Sequence, residues 1–470
     1  MKYAFSIAFL FMWSMALAQS DTSLWLVPRM SSYKFIKHAD NHIINDHKLY
    51  PAFEKLFNSH NPKRGAVNII HIGDSHLQAD MITSVLRNGF QNRFGNAGRG
   101  LVFPQQLAKS NAPSDIASSS NITWKYNRLA HPEIPTATGI TGFGIHTSQQ
   151  NAVVRMTLKP VDSVQSYFNH LKFFLGANEN CYELKTDANA DPIKQNTHSG
   201  TDTPSLVFDL PGLTSSFELS ECTSRHMGDS FSFYGVSMLR TDAPGVVYNT
   251  IGVNGAEYDQ FNRNPLFWHQ LPTNKGDLFI ISMGTNEAQN LSFNEDSFVV
   301  KCNAFLAQIR TAAPNCQILI TTPPVSYYKG KAPNKVLDKV TKALIRFCKT
   351  NDLPYWDLYH ISGGLAGTVS WKKNKLLARD LVHFQHEGYR LQGQLLLHAL
   401  ASSYNDFLKQ HLKQITSVPK PAPKKPTVKP TVKPTVKPPT PKPVDTTSKV
   451  QTPPVTTPPK VHKIKVLEEY

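Results

Sequence analysis

Four short blocks of this sequence hold side chains that could work together as a catalyst. In chain order they read Gly-Asp-Ser-His at 73–76, Asn-Gly-Ala at 254–256, Gly-Thr-Asn-Glu at 284–287 and Asp-Leu-Val-His at 380–383. A serine hydroxyl is a weak nucleophile until a histidine accepts its proton, a carboxylate orients that histidine and N–H donors stabilise the oxyanion. The blocks contain each of these parts, with Ser75 as the candidate nucleophile.

The fourth block offers the base and its carboxylate. Asp380 and His383 are three positions apart, a spacing that places both side chains on one side of a turn or helix start. The carboxylate could then bond one ring nitrogen while the other nitrogen faces Ser75. His386 and His76 are competing bases. We favour His383 because it alone follows an acid by three positions in this block.

The second and third blocks offer donors for an oxyanion. A glycine at position 255 lets a backbone N–H approach the substrate closely, and the Asn286 side-chain amide adds a second donor. We expect the N–H of Ser75 to complete the oxyanion hole. Structural alternatives remain open, since Ser75 could cap the following helix. Gly255 could equally be only a turn residue and Asn286 only a loop residue that bonds its own backbone.

Three residues beside the candidate catalytic groups are expected to be structural. We expect Asp74 to cap the helix and shape the turn, Glu287 to stabilise its own turn, and His76 to be packed or to support the catalytic residues. No metal-ligand partners accompany His76. No Walker or dinucleotide-binding loop follows any predicted strand, so the sequence predicts neither a metal nor a cofactor.

The elements around the blocks alternate between strand and helix. An apolar stretch, Ala-Val-Asn-Ile-Ile-His-Ile, predicts a buried strand before Ser75, and helical spacing follows from Leu77 to Phe90. Residues 33–58 also have helical spacing. After position 245, strands predicted at Gly-Val-Val-Tyr, Asp-Leu-Phe-Ile-Ile, Gln-Ile-Leu-Ile and Leu-Pro-Tyr-Trp alternate with helices near 294–312, 333–350 and 387–411. This alternation predicts a parallel α/β sheet.

The stretch from about 103 to 239 has a different texture. Short segments with alternating apolar residues, punctuated by Ser, Thr, Asn and Gly, are typical of strands in a β-sandwich. We therefore predict a β domain inserted into one α/β domain. Cys181 and Cys222 both lie in this stretch, where they either form a disulfide or remain two buried thiols.

The four blocks resemble, in order, the signature blocks of the SGNH (GDSL-like) hydrolases. The resemblance implies a flavodoxin-like three-layer α/β sandwich, a Ser75, Asp380 and His383 triad, and an oxyanion hole from Ser75, Gly255 and Asn286. Position 76 is His rather than the Leu of the plain GDSL form. With this histidine and the β-rich insertion, the chain resembles the peptidoglycan O-acetylesterase branch, which carries an inserted carbohydrate-binding-like domain. Together with the composition of the two ends, the resemblance predicts, in chain order, a signal peptide at 1–18, a first hydrolase part at 33–105, an inserted β-sandwich at 106–240, a second hydrolase part at 241–412 and a disordered tail at 418–460.

Both ends of the chain carry processing or linker signals. Residues 1–20 combine Lys2, an apolar run and an Ala-Leu-Ala ending, which is typical of a cleaved secretory signal and predicts a periplasmic or secreted protein with no later membrane span. Residues 418–460 contain 14 of the chain's 33 prolines, so we expect an extended, disordered spacer. The lysines of this tail could contact acidic cell-envelope polymers or only be solvated.

The chain's charge does not indicate nucleic acid as a partner. The formal net charge is +16, but residues 418–470 carry 11 Lys against 3 acidic residues, so half of the excess lies in the tail. No nucleic-acid module is recognisable. The sequence instead predicts an exported serine esterase that removes O-acetyl groups from a glycan, either peptidoglycan or another polysaccharide. An O-acetyltransferase with the same triad and a non-catalytic glycan-binding surface protein remain alternatives.

Overall fold

The structure is a computed structural model that describes residues 22–29, 33–130, 137–161, 166–176, 181–189, 191–196, 205–222 and 230–417. The chain separates into two units, Met1–Val418 and Pro419–Tyr470, and all described residues belong to the first. The predicted signal peptide and the predicted disordered tail lie outside the described residues.

Nineteen strands are assigned within the described residues. They are β1 (Ile43–Ile44), β2 (Val67–Gly73), β3 (Gly98–Val102), β4 (Ile116–Ser119), β5 (Lys125–Arg128), β6 (Phe143–Thr147), β7 (Val153–Leu158), β8 (Phe168–Leu175), β9 (Cys181–Lys185), β10 (Ile193–Asn196), β11 (Ser205–Thr214), β12 (Ser216–Glu221), β13 (Phe231–Leu239), β14 (Val246–Gly252), β15 (Leu278–Ser282), β16 (Gln317–Thr321), β17 (Tyr327–Tyr328), β18 (Ala332–Pro333) and β19 (Tyr355–Trp356).

Ten α-helices accompany these strands in the described ranges. They are α1 (Tyr50–Phe57), α2 (Ser75–Gln78), α3 (Met81–Phe94), α4 (Tyr258–Asn262), α5 (Pro265–Gln270), α6 (Glu295–Ala312), α7 (Val336–Thr350), α8 (Leu358–Ile361), α9 (Gly364–Lys373) and α10 (His386–Ser417). The helices predicted near 294–312, 333–350 and 387–411 correspond to α6, α7 and α10. None of the helices in the described part of the chain is both long and apolar enough to span a bilayer.

The central sheet has the order β1-β19-β16-β15-β2-β14. All of its strands except β1 run parallel, so by chain order the parallel strands lie 2-1-3-4-5, which is the flavodoxin-like arrangement. Strands β2 and β15 are mostly apolar and almost completely buried, as expected for strands of a parallel sheet that is covered on both faces. Helices α3 and α10 pack together, as do α6 and α7. The predicted parallel α/β sheet is confirmed.

The segment 33–58 is not the single helix that its apolar spacing predicts. Within it, only α1 is an α-helix. The residues before α1 contain β1 and two 3-10 helices, at His38–Asp40 and Asp46–Leu49. Asn45 has φ 62°, a left-handed conformation through which an α-helix cannot continue. Ile43 is buried, but it is buried as part of β1, which pairs antiparallel with β19 at the sheet edge. Tertiary pairing overrode the local helical pattern.

The β-rich region contains two antiparallel sheets. One has the order β10-β9-β12-β7-β4 and the other β11-β8-β13-β6-β5, with β3 added beside β13. Aromatic side chains join the sheets: the rings of Phe173 and Phe217 lie 5.2 Å apart, and those of Tyr182 and Phe231 lie 5.4 Å apart. Each ring pair takes one member from each sheet. The two sheets therefore share an apolar interior.

A buried ion network connects the β-rich region to the α/β part. Arg99 on β3 donates to Asp80, 2.8 Å away, and also pairs with Asp115 just before β4. Arg87 on α3 contacts Asp80 at 2.7 Å. Burial by itself raises the pKa of Asp80, but the two arginines more than offset that effect and lower it. Elsewhere in the β-rich region, Cys181 and Cys222 form a disulfide, which decides between the two alternatives that the sequence left open.

Candidate active site

Three neighbouring strands bring three of the four sequence blocks to one edge of the sheet. In the parallel register, Gly73 at the end of β2 lies beside Gly252 at the end of β14 and Ser282 at the end of β15. The blocks continue directly beyond these residues. The carboxyl ends of parallel strands, next to a reversal of strand order, are where open α/β sheets place their ligand sites.

The turn after β2 presents Ser75 at the start of α2. Asp74 is the N-cap, and its Oδ1 accepts a hydrogen bond from the His76 N–H at 3.0 Å. Asp74 rather than Ser75 therefore caps the helix, as predicted, and the Ser75 hydroxyl is left available. Glycine is required nearby because a Cβ at Gly252 would lie 2.4 Å from the backbone nitrogen of Gln78. The helical pattern that begins at Leu77 is interrupted before α3, where Asp80 has φ 61°.

A hydrogen-bonded chain joins Ser75, His383 and Asp380. The Ser75 Oγ lies 2.8 Å from His383 Nε2, and His383 Nδ1 lies 2.6 Å from Asp380 Oδ2. The second carboxylate oxygen of Asp380 accepts the backbone N–H groups of Val382 and His383, both at 2.9 Å. The imidazole is therefore oriented by the carboxylate and faces the hydroxyl, the arrangement by which a histidine can take a proton from serine.

The segment that carries Asp380 and His383 is a loop rather than a helix start. The N–H of Ala378 donates to the His383 carbonyl, and Leu381 has φ 59°, so the loop closes tightly on itself. Partial burial alone would raise the pKa of Asp380. Hydrogen bonds from the His383 ring and from backbone N–H groups reverse that effect and lower the pKa below its usual value. Asp380 thus remains ionised and able to stabilise a protonated His383.

The residues predicted for the oxyanion hole lie on two segments that contact each other. Gly255 follows β14 with φ 82°, a conformation that favours glycine. The Asn286 amide donates to the carbonyl of Ala256 at 2.9 Å, and this bond leaves its second N–H for another acceptor. Glu287 Oε1 accepts the N–H of Tyr258 at 3.0 Å, which adds a second link between the segments. The oxyanion roles of Gly255 and Asn286 stay predictions.

His76 is packed, as the sequence predicted. Its ring is buried, its Nδ1 lies 3.1 Å from the Tyr389 hydroxyl, and its ring centroid lies 5.5 Å from that of His383. Burial, reinforced by the neighbouring His383, lowers the pKa of His76 to about 3, so its ring is neutral. His386, the other competing base, is exposed at the start of α10. Of the three histidines, His383 is the one bonded to Ser75.

Two buried carboxyl groups behind the serine have raised pKa values. Burial raises the pKa of Glu287 to about 8 and that of Asp74 to about 6. The sequence suggested a turn-stabilising role for Glu287 but gave no signal of its burial, because its position inside the sheet edge is a tertiary property. The raised pKa favours the protonated form of Glu287, whose side chain links the Asn286 segment to the segment of Gly255 through the Tyr258 N–H.

No metal site is formed in the described part of the chain: no three His, Cys, Asp or Glu side chains there are grouped to hold an ion. The chemistry of the bonded Ser75, His383 and Asp380 chain needs none, because proton transfer and nucleophilic attack are both supplied by side chains.

Residues 221–391 match the model of the GDSL-like lipase/acylhydrolase family. Over these residues the chain is similar to GDSL-like acylhydrolases. The matched range includes Gly255, Asn286, Asp380 and His383. Ser75 precedes that range, and its hydroxyl reaches His383 from the end of β2. The resemblance predicted from the four blocks is confirmed. No curated protein matches the sequence.

The fold of this chain is similar to that of a solved structure described as "Peptidoglycan O-acetylesterase in action, 5 min". The two chains are 22% identical, the TM-score is 0.62, and the match covers 77% of this chain and 96% of the other. Two further structures match with a TM-score of 0.27: a lipase/acylhydrolase from Enterococcus faecalis (22% identity, covering 34% of this chain and 77% of that one) and a family two carbohydrate esterase from Cellvibrio japonicus (10%, 62% and 99%).

Proposed function

We propose that the protein is a serine esterase that removes O-acetyl groups from a glycan, and that the glycan is peptidoglycan. The single observation that carries the reaction type is the hydrogen-bonded chain of Ser75, His383 and Asp380 at the carboxyl edge of the parallel sheet. The acylhydrolase family match agrees with ester hydrolysis. The fold shared with a peptidoglycan O-acetylesterase supports the choice of substrate.

The proposed reaction proceeds in two acyl-transfer steps. His383 takes the proton of Ser75 as the hydroxyl oxygen attacks the ester carbonyl, and the carbonyl oxygen becomes an anion. The Ser75 and Gly255 N–H groups and the Asn286 amide stabilise that anion. The tetrahedral intermediate then collapses, the bond to the sugar oxygen breaks, and His383 returns the proton to that oxygen. Acetate remains as an ester on Ser75.

Water completes the cycle. His383 takes a proton from a water molecule, whose oxygen attacks the acetyl-serine carbonyl, and the second tetrahedral anion uses the same donors. Collapse releases acetate and returns the proton to the Ser75 oxygen. Asp380 keeps one charge state throughout and stabilises the imidazolium that forms in each step. A sugar hydroxyl in place of water would make the same protein an O-acetyltransferase.

Acetate release from O-acetylated peptidoglycan and from acetylated xylan tests the proposal, with wild type compared against Ser75→Ala. We expect wild type to release acetate from peptidoglycan in preference to xylan, and Ser75→Ala to lose the activity by several orders of magnitude. Acetyl transfer to an added oligosaccharide without free acetate would favour the transferase. Tight binding to cell-wall glycan without hydrolysis of any acetyl ester would favour a non-catalytic protein.

The setting of this activity is part of the proposal. The pattern of residues 1–18 supports export to the periplasm or beyond, where peptidoglycan is accessible. The β-rich insertion, predicted over 106–240, would present a glycan-binding face beside the site. The lysine-rich tail of 418–460 would keep the enzyme near the acidic envelope. Removal of the tail should lower retention on cell walls without lowering hydrolysis of p-nitrophenyl acetate, which can be measured on the same preparation.

A further inference from the structure

A group of cations lies on two segments beside the Asp380 side of the site. We call them the basic rim: Lys329, Lys331, Lys372, Lys373, Lys375 and Arg379. The first two belong to the β17–β18 hairpin, and the others lie on the last turn of α9 and on the loop that leads to Asp380. All six side chains are exposed. The chemistry proposed above uses none of them.

The hairpin is held directly against the catalytic loop. The Tyr327 N–H donates to the carbonyl of Leu381 at 2.8 Å, and a Cβ at Gly330 would lie 3.4 Å from the Asp380 carbonyl oxygen. On its other side, the N–H of Lys329 donates to the Gln289 side chain at 3.3 Å, three residues after Asn286. The hairpin therefore contacts both the base-bearing loop and the Asn286 segment.

The end of α9 is tied to the same hairpin. The Lys372 ammonium lies 5.1 Å from the centre of the Tyr327 ring, within the range of a cation–π contact. From there the chain runs through Lys375 to Arg379, which immediately precedes Asp380. The two segments thus bring six cationic residues next to the loop that carries Asp380 and His383.

Few acidic side chains lie near the cations of the basic rim in the sequence. Residues 322–337 and 358–379 contain seven Lys or Arg and no Asp or Glu. None of the six rim cations takes part in an ion pair within the described ranges, and the neighbouring Asp380 carboxylate is already bonded to His383. By contrast, Lys342 on α7 pairs with Asp338, and Arg390 on α10 pairs with Glu387. A negative group on the substrate would meet several uncompensated charges here.

We propose that the basic rim binds carboxylate groups of the ester-bearing glycan, so that the substrate is an anionic polymer rather than a neutral one. This inference rests on the proposed function and specifies its substrate. Several like charges close together attract polyanions and raise their association with a site by roughly tenfold or more, an effect that salt screens. In peptidoglycan the carboxylates of the stem peptides would be the groups bound.

A matched pair of substrates tests the rim. O-acetylated peptidoglycan fragments are compared with the same fragments after their carboxylates have been converted to primary amides, which removes the charge and keeps the shape. We expect amidation to lower wild-type kcat/KM roughly tenfold, mainly through KM, and we expect the difference to shrink as salt is added. Equal rates on the two substrates at low salt would overturn the inference.

Paired variants then locate the effect. In Lys372→Gln/Lys373→Gln the ratio of native to amidated kcat/KM should fall toward one. Lys339→Gln/Lys349→Gln on the exposed face of α7 removes the same charge and should keep the wild-type ratio. Because the lysine-rich tail is present in both, it cannot produce a difference between them. An equal fall in both double variants would assign the preference to overall charge and contradict a role for the rim.

Failure of the inference can be told apart from failure of the proposed function. If wild type cleaves p-nitrophenyl acetate and both peptidoglycan preparations alike, the esterase stands and the rim proposal falls. If wild type cleaves no ester, the proposed function falls, and the proposal for the basic rim is tested by binding to peptidoglycan instead. Ser75→Ala protein should then sediment with insoluble native peptidoglycan more than with the amidated form, and the rim double variant should lose that preference.

Discussion

Two segments of this protein share the pattern Asp-Leu-x-His, one at 357–360 and one at 380–383. In both, the histidine Nδ1 lies 2.6 Å from a carboxylate oxygen of the aspartate three positions earlier. Each aspartate also accepts a backbone N–H within its own segment. By local geometry alone, either segment could hold a catalytic base with its carboxylate.

The difference lies in where the sheet places each segment. Asp357 directly follows β19, which is separated from β2 by β16 and β15, about 14 Å at the usual strand spacing. The loop of His383 reaches back to the end of β2, where its Nε2 contacts Ser75. In the described part of the chain, the His360 ring bonds only to Asp357. An imidazole oriented by an aspartate is therefore not sufficient for catalysis. What distinguishes the site is that the His383 ring also reaches a nucleophile.

The largest effect should come from removing each histidine in turn. His383→Ala should lower kcat/KM by roughly 10⁴- to 10⁶-fold, because the base and the acid of both acyl steps are lost together. His360→Ala should stay within about twofold of wild type, since residues that are not in contact with the site act independently. Acetate release by the two variants measures the contrast. A comparable loss in both would show that the 357–360 segment takes part in catalysis.

The two aspartates should separate activity from stability. Asp380→Ala should reduce kcat roughly 10³- to 10⁴-fold by leaving the His383 ring without its orienting carboxylate. Asp357→Ala should leave kcat close to wild type but cost about 0.5–2 kcal/mol of unfolding free energy, because Asp357 caps α8. Steady-state kinetics and urea unfolding on both variants check this, and a kinetic defect in Asp357→Ala would contradict it.

Removal of the predicted oxyanion donor, Asn286, should have a smaller effect, and the 357–360 segment contains no equivalent side-chain amide. Asn286→Ala should lower kcat roughly 10²- to 10³-fold with little change in KM, because the side-chain amide acts on charge that develops in the transition state. Asn290→Ala, four residues later at the exposed end of the same turn, is the matched control and should retain full activity. A loss confined to KM in Asn286→Ala would mean that the amide binds substrate rather than the oxyanion.

The smallest expected effect concerns Glu287, the buried acid behind Ser75, and is a change in the free energy of unfolding with pH. Because the pKa of Glu287 is raised to about 8, the folded protein keeps a proton that the unfolded chain has already lost above pH 4.5. The free energy of unfolding should therefore fall as pH rises toward 8, by at most about 1.4 kcal/mol per pH unit. Glu287→Gln should remove this slope between pH 6.5 and 8, above the pKa of Asp74. Equal slopes in both proteins would show that Glu287 is ionised.

Much of the site was predictable because it depends on short sequence signals. The turn at Asp74 and Ser75, the pairing of Asp380 with His383 and the packed role of His76 follow from residue type and spacing. The helical prediction for 33–58 was confirmed for α1 and was wrong for the residues before it, because apolar spacing reports which side chains are buried and not which strand they pair with. The burial of Glu287 was not predicted, because no pattern of neighbouring residues indicates how deeply a turn is buried against the end of the sheet.

By itself the sequence determined the parallel α/β class, the order of the four blocks and the local aspartate–histidine geometry. These follow from periodicity and from contacts within a few residues. Only the tertiary structure decided that the loop of His383, and not the equally patterned loop of His360, meets Ser75. The physical reason is that hydrogen bonds act over about 3 Å, whereas the position of a loop at that precision is set by strand order and packing across the whole sheet.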